Sequence, residues 1–347
     1  MDQPPVDNTT DFVVHPQVFV DKDGEKLLAI VKATFVRAAD LTIELGTKKG
    51  QRKIRFADVP WGKPDKSSIL YPADLCLRKP GTDVIVVARA HAPGGRPVPS
   101  FDVAVRVGPL QKLCRIFGLR VWQSGGNGLS APRPISDLEM RYDHAWGGFD
   151  DSDPAAVVEE ARNPVGVGIA RDPAGLTHLP APGIEDVAQP ILTAKTRPPP
   201  AGIGAIGRHW DPRRKYAGTY DARWLEERAP LPPLDQDDRF NLCATPELVA
   251  TPPLRGGEEA ALLNLQPGGG ATAFLLPRVG VEIEFRLPDR APEIMHPHLD
   301  TVLIDTLHNP RKEERPLTIE YVWRASIKAP RRMKDARIIV REREVKG

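Results

Sequence analysis

Apolar side chains recurring at every second position, near both ends of the chain, are the feature that most restricts the fold. In SFDVAVRV, Phe101, Val103, Val105 and Val107 stand two apart. A helix turning 3.6 residues at a time scatters such a set around its surface, whereas a strand gathers it on one face. In LLAIVKATFV, Ala29, Val31, Ala33 and Phe35 share one face and Lys32 and Thr34 the other, and a short RAAD turn leads into LTIEL at 41–45, which reads as a hairpin. TDVIVVARAHA at 82–92 is apolar on both faces in its first half, the pattern of a strand covered on two sides. The turn APGGRPVP then precedes SFDVAVRV, a GPLQ loop and KLCRIFGLRVW, a second hairpin. Near the C-terminus, RVGVEIEFRL sets Val279, Val281, Ile283 and Phe285 against Glu282, Glu284 and Arg286. LTIEYVWRASI sets Leu317, Ile319, Tyr321 and Trp323 against Thr318, Glu320 and Arg324, and HLDTVLIDT and ARIIVREREV complete the set.

Between these regions the alternation breaks into Gly, Pro, Asp and Trp clusters. Among 347 residues, 29 are Gly and 37 are Pro. Proline removes a ladder donor and glycine permits unusual backbone angles, so long loops between strands are expected. The tryptophans in those loops argue for fixed, packed forms. Two short helices are expected here: DPAAVVEEAR at 153–162, where Asp153 can cap and Pro154 suits the first position, and GGEEAALLNL at 256–265. The fold expected is all-β and mainly antiparallel, a large β-sandwich or two packed ones, with a long Gly/Pro-rich loop region and few short helices. Its parts read as an N-terminal β region (1–122), a Gly/Pro/Trp-rich loop region packed on the sheets (123–273) and a C-terminal β region (274–347). No repeat of fixed period is found.

With 48 basic and 46 acidic side chains the net charge is +2, so no global field draws nucleic acid or an anionic membrane. Cys76, Cys114 and Cys243 are odd in number and lack zinc-type spacing, which reads as free buried thiols in a reducing compartment. The opening MDQPPVDNTTDF lacks the basic start and apolar run of a secretory signal, and no stretch of about 18 apolar residues occurs, so a cytoplasmic location is expected.

Four clusters carry candidate chemistry. Gly202, Gly204 and Gly207 match the spacing of a dinucleotide fingerprint, with Asp221 where its ribose-binding acid belongs. That site needs a strand before the glycines and a helix after them. Pro198, Pro199 and Pro200 stand before, Asp211-Pro212 after, and the match is coincidental; no cofactor is expected. In MHPHLDTVLIDTLH, His296 and His298 are a weak alternative for a metal, with Asp300, Asp305 and His308 as further donors; a surface turn is the plainer reading and no metal is assigned. Asp143, Asp150, Asp151 and Asp153 crowd HAWGGFDDSD, an ordinary use of Asp beside Gly in turns. No G-x-S-x-G or H-E-x-x-H occurs, and no catalytic residue is named. RHWDPRRKYAGTYDARWLEER mixes Arg213, Arg214 and Tyr216 with Trp224, the residue types that dominate protein–protein hot spots, and these four are the candidate protein-binding residues.

SSILYPADLCLRKPGTDVIVVARAHAPGGRP, RYDHAWGGFD, NPVGVG, the segment from RPPPAGIG to LDQDDRF, and HLDT resemble, in order and over almost the whole chain, a bacterial domain-of-unknown-function family. Its members look to be effector adaptors, or chaperones, of the type VI secretion system. The sequence departs from that family at ATPELVATPPLRGGEEAALLNL, where the family usually carries an Asp-Gln step and a Gly-Asp-Glu. The resemblance implies a non-catalytic cytoplasmic protein that binds the N-terminal region of a secreted toxin and helps load it onto the spike protein. Rival expectations are a metal- or carboxylate-dependent hydrolase using His296, His298 or the Asp cluster, and a structural component travelling with the secreted particle. The sequence names neither the cargo nor the contact face.

Overall fold

A computed structural model describes residues 3–307 and 317–345. Its three larger sheets have four, five and seven strands. In chain order the strands are β1 (Val6–Asn8), β2 (Val13–Asp21), β3 (Gly24–Arg37), β4 (Ile43–Leu45), β5 (Thr82–Val87), β6 (Ser100–Val107), β7 (Leu110–Phe117) and β8 (Ile184–Asp186). They continue as β9 (Val249–Ala250), β10 (Glu259–Leu263), β11 (Ala271–Leu275), β12 (Gly280–Leu287), β13 (Arg290–Met295), β14 (Thr301–Asp305), β15 (Thr318–Lys328) and β16 (Arg337–Arg343). Eight shorter strands in four two-stranded pairs, one α-helix, α1 (Ala222–Glu227), and several 3-10 turns are also formed among the described residues. The protein is all-β, in antiparallel and mixed sheets.

The central sheet runs β9-β5-β14-β15-β3-β2, with β4 on β3. It interleaves strands from the two ends of the chain: β5 lies parallel to β14, and β15 lies antiparallel to both β14 and β3. The five-stranded sheet runs β8-β7-β6-β10-β11, and the smallest runs β1-β16-β12-β13. Apolar residues of all three, among them Val31, Val105 and Ile338, belong to one continuous core. Both expected hairpins form, β3 with β4 and β6 with β7, the second closing at Val107 opposite Leu110.

The central sheet is buried on both faces. Residues 27–35 of β3 are all buried; odd-numbered Leu27, Ala29, Val31, Ala33 and Phe35 enter the main core. Even-numbered Leu28 and Ile30 pack with Val322 under Ile54 and Leu77. Lys32 and Thr34, opposite Val322 and Glu320, share that covered face.

There the sheet holds an array of paired charges. Lys32 Nζ lies 2.8 Å from Asp74 and 2.7 Å from Glu320. Arg55 grips Glu320 through two hydrogen bonds of 2.6 and 3.2 Å, and Arg52 reaches Asp305 at 3.2 Å. Arg324 pairs with Asp300 and donates to the Asp74 carbonyl at 2.6 and 3.1 Å. Lys79 pairs with Asp83 at 2.7 Å and donates to Thr301, which itself donates to Asp300. Five cations (Lys32, Arg52, Arg55, Lys79, Arg324) thus face five anions (Asp74, Asp83, Asp300, Asp305, Glu320). Such balance is what permits charge away from water at all.

Neither short helix expected in the loop region forms. At 153–162 Asp153 is spent on a turn, accepting from the Ala155 N–H at 3.0 Å, and Val158–Glu159 pair as a strand with Phe149–Asp150. One turn of favourable residues does not repay helix nucleation. At 256–265 the segment is strand β10, joining β6 and β11 with Ala260 and Leu262 buried; the gain from filling the sheet overrides the helix propensity of EEAALL.

Candidate functional site

The loop region is locked by close backbone approach, and the glycine fingerprint belongs to that locking. A Cβ on Gly202 would come within 2.4 Å of the Tyr142 ring, and one on Gly207 within 2.8 Å of Trp210. These two aromatic rings meet edge-on at 5.7 Å. The chain slides beneath them only because those positions carry no side chain. No α-helix leaves the glycines directly; a 3-10 turn, Arg213–Tyr216, comes first. The acid Asp221 caps α1, accepting the Trp224 N–H at 2.8 Å.

AWGG and NPVG interlock in the same manner. Trp146 and Gly147 bridge Val167 and Gly168, and the fully buried Asn163 donates to the Tyr142 and Trp146 carbonyls at 2.9 and 3.0 Å. Gly147 adopts φ 150, and a Cβ there would stand 2.2 Å from the Asn163 carbonyl oxygen. KPGTDV is equally internal. Asp83 accepts from the Cys243 and Ala244 N–H groups at 2.9 and 3.1 Å, pinning the loop before β9 to the sheet. Burial works to raise the Asp83 carboxyl, but the Lys79 ammonium and these N–H donors outweigh it and hold it low.

Two concavities open on either side of the turn at 207–212. One, about 290 Å³, is walled by Pro199, Pro200, Pro212 and Pro246, with Tyr142 and Asp211 also lining it. The other, about 770 Å³, takes Gly207 and Trp210 from the turn and is edged by Phe149, whose side chain is 58% exposed. In the smaller one, Tyr142 is 3% exposed and its hydroxyl has no hydrogen-bond partner. Thr245 approaches it but donates to Glu247 Oε2 at 2.6 Å instead. Burial pushes the Tyr142 phenol well above its ordinary range, so it stays protonated. Asp211 Oδ1 is also buried without a hydrogen bond; Arg214 Nε stands off at 3.6 Å. Burial favours the protonated form of Glu247, yet hydrogen bonds from Lys112 and Thr245 prevail and keep it ionised.

The four protein-binding candidates fall in different settings. Arg213 is 6% exposed and donates to the Ile206 and Phe240 carbonyls at 2.8 and 3.0 Å, so it braces the turn from inside. Arg214 is exposed beside Asp211. Tyr216 is half-buried under the Arg239 guanidinium, 4.2 Å from its ring centroid. Trp224, also half-buried, donates to the Leu231 carbonyl at 2.9 Å and meets Tyr220 edge-on at 4.7 Å. Around α1 the exposed apolar groups are Tyr220 (55%), which belongs to the arginine- and aromatic-rich segment, and Leu225 (65%) and Leu234 (67%), which did not stand out in the sequence. Their signal was present: apolar residues on a short segment rich in charged residues and proline.

The other clusters separate. His296 pairs with Glu282 at 3.1 Å, whereas His298 contacts the Lys79 carbonyl at 3.0 Å; both line a groove of about 650 Å³ beside Trp323. Asp300 and Asp305 belong to the charge array, and His308 lies outside the described residues. Among the described residues no three His, Cys, Asp or Glu side chains are placed to hold a metal ion. Asp143 accepts from Ser68 and pairs with Arg141 at 2.6 Å; Asp150 accepts the Ser152 and Arg171 N–H groups, and Asp153 pairs with Arg171. Asp150 and Asp153 hold local turns, and Asp143 ties its segment to Ser68. Cys76, Cys114 and Cys243 are free and buried, and burial pushes the last two thiols up to about 12. No helix among the described residues is long and apolar enough to cross a membrane.

Sheets packed around one core, rigid Gly/Pro loops and concavities walled by proline and aromatic rings define an all-β protein whose chemistry is concentrated in internal packing. The chain belongs to the family described as an uncharacterized protein conserved in bacteria (DUF2169), whose model matches residues 22–315. No curated protein and no solved structure is significantly similar to it.

Proposed function

We propose that this chain is a non-catalytic cytoplasmic adaptor that holds the N-terminal region of a type VI secretion effector and delivers it to the spike protein. The resemblance of KPGTDV, AWGG, NPVG and AGTYD to adaptor sequences suggests the system. The observation that carries a binding role is the exposure of Tyr220, Leu225 and Leu234 on a segment that is itself held rigid. Asp221 caps α1, and Asp235 ties the segment back through Thr219, whose hydroxyl donates to it at 2.7 Å. Exposed apolar groups on a pre-ordered loop lose little entropy on association, which suits recognition of another polypeptide. The ionisable groups of the array pair with one another and line none of the three concavities described.

The test is coexpression of this chain with the effector and spike protein of one secretion cluster, followed by pull-down. Copurification, and its loss on Leu225→Ser with Leu234→Ser at unchanged circular dichroism, is expected. An effector equally stable and equally secreted without this chain overturns the reading.

A further inference from the structure

We propose that the 290 Å³ cavity beside the 207–212 turn is an anchor pocket for one neutral aromatic side chain with a polar tip, a Tyr or Trp of the bound polypeptide. This deepens the adaptor reading and rests on it for the identity of the guest. Three observations set the guest's chemistry. The volume falls at the lower bound of small-molecule sites, roughly 300–1,000 Å³, and suits a single large side chain. Four proline rings and the Tyr142 ring make walls that favour a flat apolar body. Two buried polar atoms, the Tyr142 hydroxyl and Asp211 Oδ1, make no hydrogen bond within the protein, although Thr245 and Arg214 stand near them, and such atoms gain a bond when a guest brings an O–H or N–H.

Charge narrows the guest further. Arg162 and Lys215 line the cavity beside Asp211 and Glu247, two cations against two anions, so neither a cationic nor an anionic guest is favoured. Asp211 keeps Lys215 Nζ at 3.3 Å from Oδ2, and Arg162 is engaged by Glu160 at 2.6 Å. What remains without a hydrogen bond is one hydroxyl and one carboxylate oxygen among largely apolar walls, and both can accept from a neutral donor. Tyrosine and tryptophan, which pair large apolar area with one donor, meet that requirement and dominate protein hot spots.

The experiment uses the whole chain and small probes. Ligand-detected NMR is run with p-cresol and indole, and with toluene as the probe lacking a donor. Binding of p-cresol and indole at millimolar strength, several-fold tighter than toluene, is expected. Tyr142→Phe, which keeps the ring packed on Trp210, and Asp211→Asn should each weaken p-cresol several-fold and leave toluene unchanged. Equal binding of all three probes, or equal binding to the variants with unchanged melting temperature, overturns the pocket. An effector that copurifies while the probes fail to bind removes the pocket and leaves the adaptor. Probes that bind as expected while no effector copurifies remove the adaptor and leave an aromatic-binding cavity. Where both hold, one Tyr or Trp in the effector's N-terminal region should be indispensable, and its absence from an alanine scan overturns the anchor.

Discussion

Glu320→Gln tests the charge array most directly, because the substitution keeps the side-chain shape and removes one charge from a balanced set of ten. Glu320 lies 2.7 Å from Lys32 Nζ and 2.6 Å from Arg55 Nη2, with no solvent exposure. Burial works to raise its carboxyl, but Lys32 and Arg55 outweigh it and hold the group at about 2, against 4.5 ordinarily. That difference corresponds to roughly 3 kcal/mol favouring the ionised form in the folded state. Loss of one partner from a buried pair costs about 3–5 kcal/mol, and the two figures agree. Lys32 keeps Asp74 at 2.8 Å and Arg52 keeps Asp305 at 3.2 Å, so the array ends one positive charge in excess. Urea unfolding followed by circular dichroism at pH 7 should therefore show an unfolding free energy lowered by about 3–5 kcal/mol, read as a lower midpoint with little change in slope. Lys32→Met in the same chain restores balance, and the double variant should recover at least half the loss.

The pH dependence has a definite sign. Because the folded-state value is depressed, the Glu320 contribution is present above pH 4.5 and is lost as pH falls toward about 2. Asp305, which burial raises, acts in the opposite direction. In Glu320→Gln the fall over that window should flatten. A variant within 1 kcal/mol of the parent at pH 7, or one with an unaltered acid profile, refutes the account of the array as a set of interdependent pairs.

Three further outcomes are expected. Gly147→Ala places a methyl 2.2 Å from the Asn163 carbonyl oxygen at a backbone angle side chains avoid, and should cost roughly 2–4 kcal/mol, read by melting temperature and by proteolysis within the loop region. A parent-like melt sinks it. Asp221→Ala removes the cap of α1 and should cost about 1 kcal/mol locally, visible as faster hydrogen exchange at Ala222–Glu227 with little change in global unfolding. The three buried thiols should resist Ellman's reagent in the folded protein at neutral pH and react once urea unfolds it; fast stoichiometric labelling of the native chain contradicts their burial.

Period-2 patterning announced the strands at both ends of the chain, because a period of two residues is a local geometric property that needs no partner. Loop chemistry was partly visible as well: proline and glycine ruled out a helix after Gly207, and Asp153 did form a turn. The helix at Ala222–Glu227 is too short to leave a periodic signature, and its cap, Asp221, fits an ion pair or a ribose contact equally well in sequence. The smaller cavity could not be read at all. Tyr142, Asp211 and Thr245 meet there from three distant stretches, and the lack of a partner for a hydroxyl is a fact about its surroundings.

The sequence alone determined the alternating strands near the two ends of the chain, which of their faces alternate and several of the turns. Tertiary structure decided that Lys32 and Glu320, on the polar face of their strands, are sealed under residues 52–79, since one strand's pattern does not say what will cover it. It also decided that the parallel pairing of Thr82–Val87 with Thr301–Asp305 joins segments some two hundred residues apart. Alternation is written in neighbouring residues, but burial and hydrogen-bond satisfaction arise only when remote segments are brought together.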